Sequence, residues 1–298
     1  MKVLYATDGF DAAGKAGSVM EKLGDRDRLD ITVMSVTHTG IPAPEHAVLM
    51  LDPIEERRRD TVDLVDAACE KLVAAGFHVK GHTAEGHPGP EIVRAISDDW
   101  FDLVVMGGSR RSWLGSHLLG SVSSYVLHSS PWPVMIVHEA LPSADNGRVL
   151  IGTDGSRGAE FTIAMLAQFA DPSSTAMKVV SVVQDPAPRS FAVPESFYVP
   201  SGLRGYLDQT RKRVRDHAEG LVESASTELR DAGFDVQGAV LVGHPTEQLL
   251  REANQDGFDL VAVGSRGLGP VRRALMGSVS EQVVQHAKAA LVGRRLQD

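Results

Sequence analysis

The stretch VGSRGLGPVRRALMGSVSEQV (263–283) carries glycines at Gly264, Gly267, Gly269 and Gly277 and ends its turn on Gly-Ser-Val-Ser. Glycine leaves backbone N–H groups unobstructed by a Cβ and admits turns closed to other residues. Ser278 and Glu281 have the spacing of a capping box, which predicts a helix running through Val283, Val284 and Ala287. A glycine turn feeding a helix start is suited to an anion, because the unbonded N–H groups and the helix dipole point the same way. The chemistry expected of this segment is the binding of a di- or triphosphate.

Other nucleotide signatures are missing. No G-x-x-x-x-G-K-[ST] occurs, and Gly267-Leu-Gly269-Pro-Val-Arg272 puts Arg where a dinucleotide fingerprint needs its third glycine. GSVS is not a G-x-S-x-G elbow, so the Ser278 hydroxyl is read as a cap and no catalytic residue is assigned. Arg266, Arg272 and Arg273 are solvated loop charges or phosphate ligands. His87 and His244, each in Gly-His-Pro, are turn formers or sugar and phosphate contacts. The eleven histidines and the single Cys69 show no metal-ligand spacing, so no side-chain metal site is expected.

The phosphate segment exists twice. VLYATDG (3–9) returns as VLIGTDG (149–155), an offset of 146, while AGFHVKG (75–81), GHP (86–88), FDLV (101–104) and LLGSVS (118–123) return at an offset of 157. Two constant offsets mean a duplicated domain with 11 extra residues in the second copy, placed near DPAPRSFAVPESFYVPSG (185–202). That insertion is a lid, a partner contact or an inert loop. The expected division is a first domain over 1–140, a linker over 141–147 and a second domain over 148–298.

In the first copy, β-branched runs at 2–6, 31–36, 78–83, 103–106 and 134–138 alternate with helical patterns at 12–23, 55–74, 90–97 and 121–127. Near-continuous apolar strands between helices predict an α/β fold, two tandem doubly wound Rossmann-like domains, each a five-stranded parallel sheet with about four helices. In such sheets ligands bind beyond the carboxyl ends of the strands. Asp8 and Asp154 follow the first strands, Val36 and Val182 end the second, and the glycine-rich segments follow the fourth. Asp and Gly at these turns are also what strand-to-helix capping asks for, whatever the function.

The pattern G-x2-G-x9-G-[ST], met by Gly264, Gly267, Gly277 and Ser278, with TDG after the first strand and GSVS opening the last helix, resembles the ATP-binding class of the universal stress protein family. The resemblance implies strand order 3-2-1-4-5, a cytoplasmic setting, and dimers or an intramolecular pairing of the two domains. It implies ATP as the bound nucleotide, with Mg2+ carried on the phosphates, and at most slow hydrolysis. By position, Asp154 would contact the adenosine end, Val182 would bond adenine through its backbone, and Val263 and Gly264 would line ribose and phosphates. Gly267, Gly277, Ser278 and Val279 would hold the phosphates. The first copy matches with Asp8, Val36, Met106, Gly107, Gly120, Ser121 and Val122, but Arg110 replaces the second glycine unless Gly108 shifts the alignment by one. The second site is therefore the more intact. Two alternatives are a non-binding interaction module of the same fold and a slow ATPase.

The rest of the composition constrains partners. Thirty basic against 39 acidic residues give a net charge of −9, which argues against a nucleic-acid footprint, and no apolar run is long enough for a membrane span. The first nine residues lack the pattern of a secretory signal.

Overall fold

The computed structural model describes residues 1–9, 11–39, 53–108, 119–142, 145–184, 201–265 and 276–294, with the backbone alone for 11–13, 53 and 201–204. The first half runs β1 (Lys2–Ala6), α1 (Asp11–Leu23), β2 (Asp30–His38), α2 (Pro53–Ala74), β3 (His78–Gly86), α3 (Pro88–Asp99), β4 (Leu103–Gly107), α4 (Ser121–Ser129) and β5 (Val134–Val137). The second repeats it as β6 (Gly147–Gly152), α5 (Arg157–Phe169), β7 (Thr175–Val183), α6 (Ser201–Asp231), β8 (Asp235–Val242), α7 (Pro245–Gln255), β9 (Leu260–Gly264), α8 (Ser278–His286) and β10 (Ala289–Gly293).

Each half has the order 3-2-1-4-5, and the halves are joined. The full sheet runs β3-β2-β1-β4-β5-β10-β9-β6-β7-β8, parallel within each half and antiparallel where Val137 meets Ala289 and Val134 meets Val292. Helices return each strand to the same end, as parallel pairing requires. Alternate side chains feed two cores. Val3, Tyr5, Val33 and Val105 face α1 and α2, while Leu4, Ala6, Met34 and Val104 face α3 and α4. Both cores continue into the second half, so burial along β5 and β10 is complete.

A second seam ties the ends of α1 and α5, which are duplicates of one another. Asp25 N donates to Phe169 O at 2.9 Å and Asp171 N to Leu23 O at 2.8 Å, around a bridge between Gly24 and Ala170. Beside it the Lys22 ammonium lies 3.1 Å from the Asp259 carboxylate, with both side chains buried. Past the strand ends the tie is reciprocal. His138 Nε2 donates to Val284 O at 2.7 Å, and Arg294 Nη1 donates to His128 O and Ser130 O at 3.2 and 2.6 Å.

Three expected strand ends move for local reasons. β2 and β3 extend past residues 36 and 83 to His38 and Gly86, because polar residues at the sheet margin keep their ladder without an apolar signature. β5 stops at Val137, since the His138 amide turns to Lys288 O at 2.8 Å. Among the described residues no helix is long and apolar enough to cross a membrane.

Candidate functional site

Strand order reverses between β1 and β4, and again between β6 and β9, so a crevice opens at the carboxyl ends of each pair. The chain leaves β1 and β6 through the same turn. Thr7 N donates to Met34 O and Thr153 N to Val180 O, each at 2.9 Å. Gly9 and Gly155 then take φ of +76° and +74°, and each donates its N–H to the preceding threonine hydroxyl at 3.3 Å. The positive φ explains the glycine and leaves Asp8 and Asp154 at the crevice mouth. One carboxylate oxygen of Asp154 accepts from Ser156 N at 3.0 Å, and Ser156 caps α5 by accepting from Ala159 N at 3.3 Å.

Across each crevice stand the ends of β4 and β9. Gly152 pairs with Val263, so the ladder carries Gly264 alongside the β6 turn. A Cβ on Gly264 would stand 2.7 Å from Ala159 N and 2.8 Å from Gly158 C. Both neighbours are backbone, so the close approach of β9 to the first turn of α5 requires glycine there. Met106 and Val263 are buried, Gly107 is half-buried, and Val36 and Val182 lie half-buried in β2 and β7, one strand away from β1 and β6.

The helix starts differ from expectation. The N-cap of α8 is Gly277 (φ −68°, ψ 149°), with Ser278 already the first helical residue and no side chain capping it. The box between Ser278 and Glu281 does not form, because the helix begins one residue early and Glu281 N bonds the Gly277 carbonyl at 3.0 Å. The N–H groups of Ser278, Val279 and Ser280 have no acceptor among the described residues. Ser280 instead donates its hydroxyl to Gly264 O at 2.7 Å, and Gly277 N donates to Ser265 O at 2.9 Å, which fixes the helix start on the end of β9. α4 likewise starts after Gly120 (φ −63°, ψ 159°) with no side-chain cap at Ser121 and Val122, but its Ser123 hydroxyl turns inward to Gly120 O at 3.2 Å.

The first crevice is further altered by its own residues. A Cβ at Gly108 would fall on the His138 ring, whereas the second half has Ser265 and Arg294 at these positions. Burial pushes the Tyr5 hydroxyl up to about 12 against hydrogen bonds with Thr7 and Gly17, so it stays protonated beneath the Asp8 turn. The second half has Ile151 there. His87 and His244 are the N-caps of α3 and α7, neither capping through its side chain, and His38 stacks edge-on against His87 at 5.2 Å. No motif signals that pair, since the two residues lie 49 positions apart.

The structure thus brings Asp154, Val263, Gly264, Gly277, Ser278 and Val279 to one strand-end region, and Asp8, Met106 and Gly107 to its duplicate, with Gly120, Ser121 and Val122 at the start of α4. Gly267, Arg110, Arg266, Arg272, Arg273 and insertion residues 185–200 lie outside the described residues. Among the described residues no three His, Cys, Asp or Glu side chains group as metal ligands. What remains can bind a polyanion through backbone donors and a helix dipole.

The comparisons agree with this frame. The chain matches the model of the Universal stress protein family twice, over residues 1–138 and 146–292. A universal stress protein of Mycolicibacterium smegmatis is 30% identical over 254 residues, covering 83% of this chain and 79% of the relative. One from Mycobacterium tuberculosis is 28% identical over 247 residues, covering 81% and 77%. The crystal structure of a universal stress protein from Archaeoglobus fulgidus covers 99% of this chain and 98% of its own, with a TM-score of 0.70 at 22% identity, a likeness of fold.

Proposed function

The chain belongs to the universal stress protein family, and on that premise we propose that it is a cytoplasmic stress-response protein that binds ATP, chiefly in its second half. In this reading Asp154 meets the adenosine end, the Val182 backbone meets adenine, and Val263 and Gly264 line ribose and phosphate. Gly267, Gly277, Ser278 and Val279 hold the phosphates, with Mg2+ on the phosphate oxygens. The observation that carries the reading is the start of α8. A glycine N-cap leaves three consecutive N–H groups without an acceptor among the described residues, and Ser280 pins them beside Gly264, where only glycine fits. Backbone donors and a helix N-terminus are a chemical match for a triphosphate.

The domain limits 1–140 and 148–298, with a linker between, belong to this proposal, as does pairing of the two halves within one chain in place of a homodimer. The antiparallel β5–β10 ladder supports that pairing. In the first half, the His138 ring against Gly108 favours the non-binding alternative, a domain kept for its contacts.

The test is made on protein as purified and again after dialysis against ATP and Mg2+. Heat-released nucleotide is identified by chromatography and bound ATP counted per chain. Stoichiometric adenine nucleotide is the expected result, and a chain that neither carries nor takes up any overturns the proposal.

A further inference from the structure

At the amino ends of the strands, far from the crevices, the two halves diverge again. In the second half Lys178 of β7 ion-pairs with Glu252 and with Asp256 (3.1 Å) at the end of α7, and the Arg148 guanidinium lies 4.9 Å over the Phe258 ring. Burial works against the Lys178 ammonium, but the two carboxylates more than offset it and hold its pKa above that of an ordinary lysine. The space left there is 30 Å3.

The duplicate positions in the first half read Thr32 for Lys178, Ala95 for Glu252 and Asp99 for Asp256. The lysine and one carboxylate are gone, and a cleft of 330 Å3 stands in their place over the buried Phe101. Its rim is charged. Lys2, Asp30 and His78 are in register across β1, β2 and β3, Lys80 lies beside Thr32 in the next row, and Asp99 closes the helix side. The side chains of Lys2, Lys80, Asp30 and Asp99 form no ion pair or hydrogen bond with a described residue.

The helix end beside the cleft also differs between the halves. Trp100, between the cleft residues Asp99 and Phe101, takes φ 54° and ψ 66° and is 68% exposed, with its ring 6.2 Å from that of Trp132. Its duplicate is Gly257, at φ +68°. Trp100 is the left-handed C-cap of α3, where the other copy uses glycine, and this ending sets Asp99 and Phe101 on the cleft.

We propose that this cleft binds a small zwitterion, a free α-amino acid. Lys2, Lys80 and His78 would receive the carboxylate, and Asp30 with Asp99 would receive the ammonium. Two positive and two negative rim groups balance a ligand of no net charge, and the volume sits at the small end of ligand pockets.

The full chain is titrated with each proteinogenic α-amino acid, followed by tryptophan fluorescence and calorimetry, with acetate and methylammonium as single-charge controls. At least one amino acid is expected to bind one per chain and to outbind both controls by tenfold or more. Lys80→Gln and Asp99→Asn, both on the surface, should each weaken it about tenfold. Thr32→Lys combined with Ala95→Glu, which copies the Lys178 ion pair into the first half, should abolish it while circular dichroism and ATP uptake stay at the level of the unmodified chain. Absence of binding by all amino acids, controls that bind equally well, or undiminished binding in the surface variants would overturn the proposal.

Discussion

The turn after β1 and the turn after β6 agree hydrogen bond for hydrogen bond, from the threonine amide to the glycine φ near +75°. The segments that follow β4 and β9 do not. In the second half Ser280 crosses to Gly264 O and holds α8 on the strand end; in the first, Ser123 bonds within its own turn and His138 packs on Gly108. The turn is dictated by the backbone of the fold, so both copies keep it. The helix anchor is not required by the turn, and among the described residues only the second copy has it. That difference, more than the shared motifs, is what the proposed second-half site rests on.

The largest expected effect breaks the symmetry of the joint between the halves. Lys22 has Gln168 as its duplicate, so Lys22→Gln makes the two seams alike and strands the buried Asp259 carboxylate, which retains Arg148 N at 2.9 Å. Removing one partner of a buried pair costs about 3–5 kcal/mol. Urea unfolding followed by circular dichroism should show a loss near the lower figure, and a loss under about 0.5 kcal/mol, the size of an ordinary surface change, would mean that the seam contributes little.

Exchanging residues at the fourth-strand ends comes next. Gly108→Ser installs the residue of the second half where the His138 ring stands, and overpacking of this kind costs about 1–3 kcal/mol. The reverse change, Ser265→Gly, meets no such ring and should cost less in the same urea unfolding. Equal penalties would show that His138 does not distinguish the halves.

A smaller effect separates the two helix anchors. Ser280→Ala removes the hydroxyl bond to Gly264 O and should lower stability by about 1 kcal/mol. Ser123→Ala removes only a bond within its own turn and should cost less, while exchange of the Glu281 amide, which bonds Gly277 O, quickens in the Ser280 variant alone.

Much of this was legible in residue order. The TDG turns, the element alternation and the helix after Gly277 follow from local rules: positive φ needs glycine, and parallel strands covered on both faces are apolar throughout. The order 3-2-1-4-5 came by resemblance. The union of the two sheets did not show in the sequence, because VMIV and AALVG read as buried strands whatever edge they meet. The cap at Ser278 was placed one residue late, since serine is the better N-cap by propensity and only the approach of α8 to β9 selects Gly277. The cleft over Phe101 was equally hidden. It depends on Thr32 and Ala95 lacking what Lys178 and Glu252 supply, and an absence has no motif.

In the proposed function the start of α8 holds the phosphates of ATP and that of α4 contributes little. Gly277→Asp tests it directly, because φ −68° and ψ 149° suit aspartate, whose carboxylate would cap the three N–H groups and repel phosphate without unfolding the helix. Calorimetric titration with ATP and Mg2+ should show Gly277→Asp losing about a hundredfold in affinity, roughly 2.8 kcal/mol, with an unchanged or raised melting temperature, while Gly120→Asp stays within about threefold of the unmodified chain. Full ATP affinity in Gly277→Asp, or an equal loss in Gly120→Asp, would show that the α8 start is not the phosphate site.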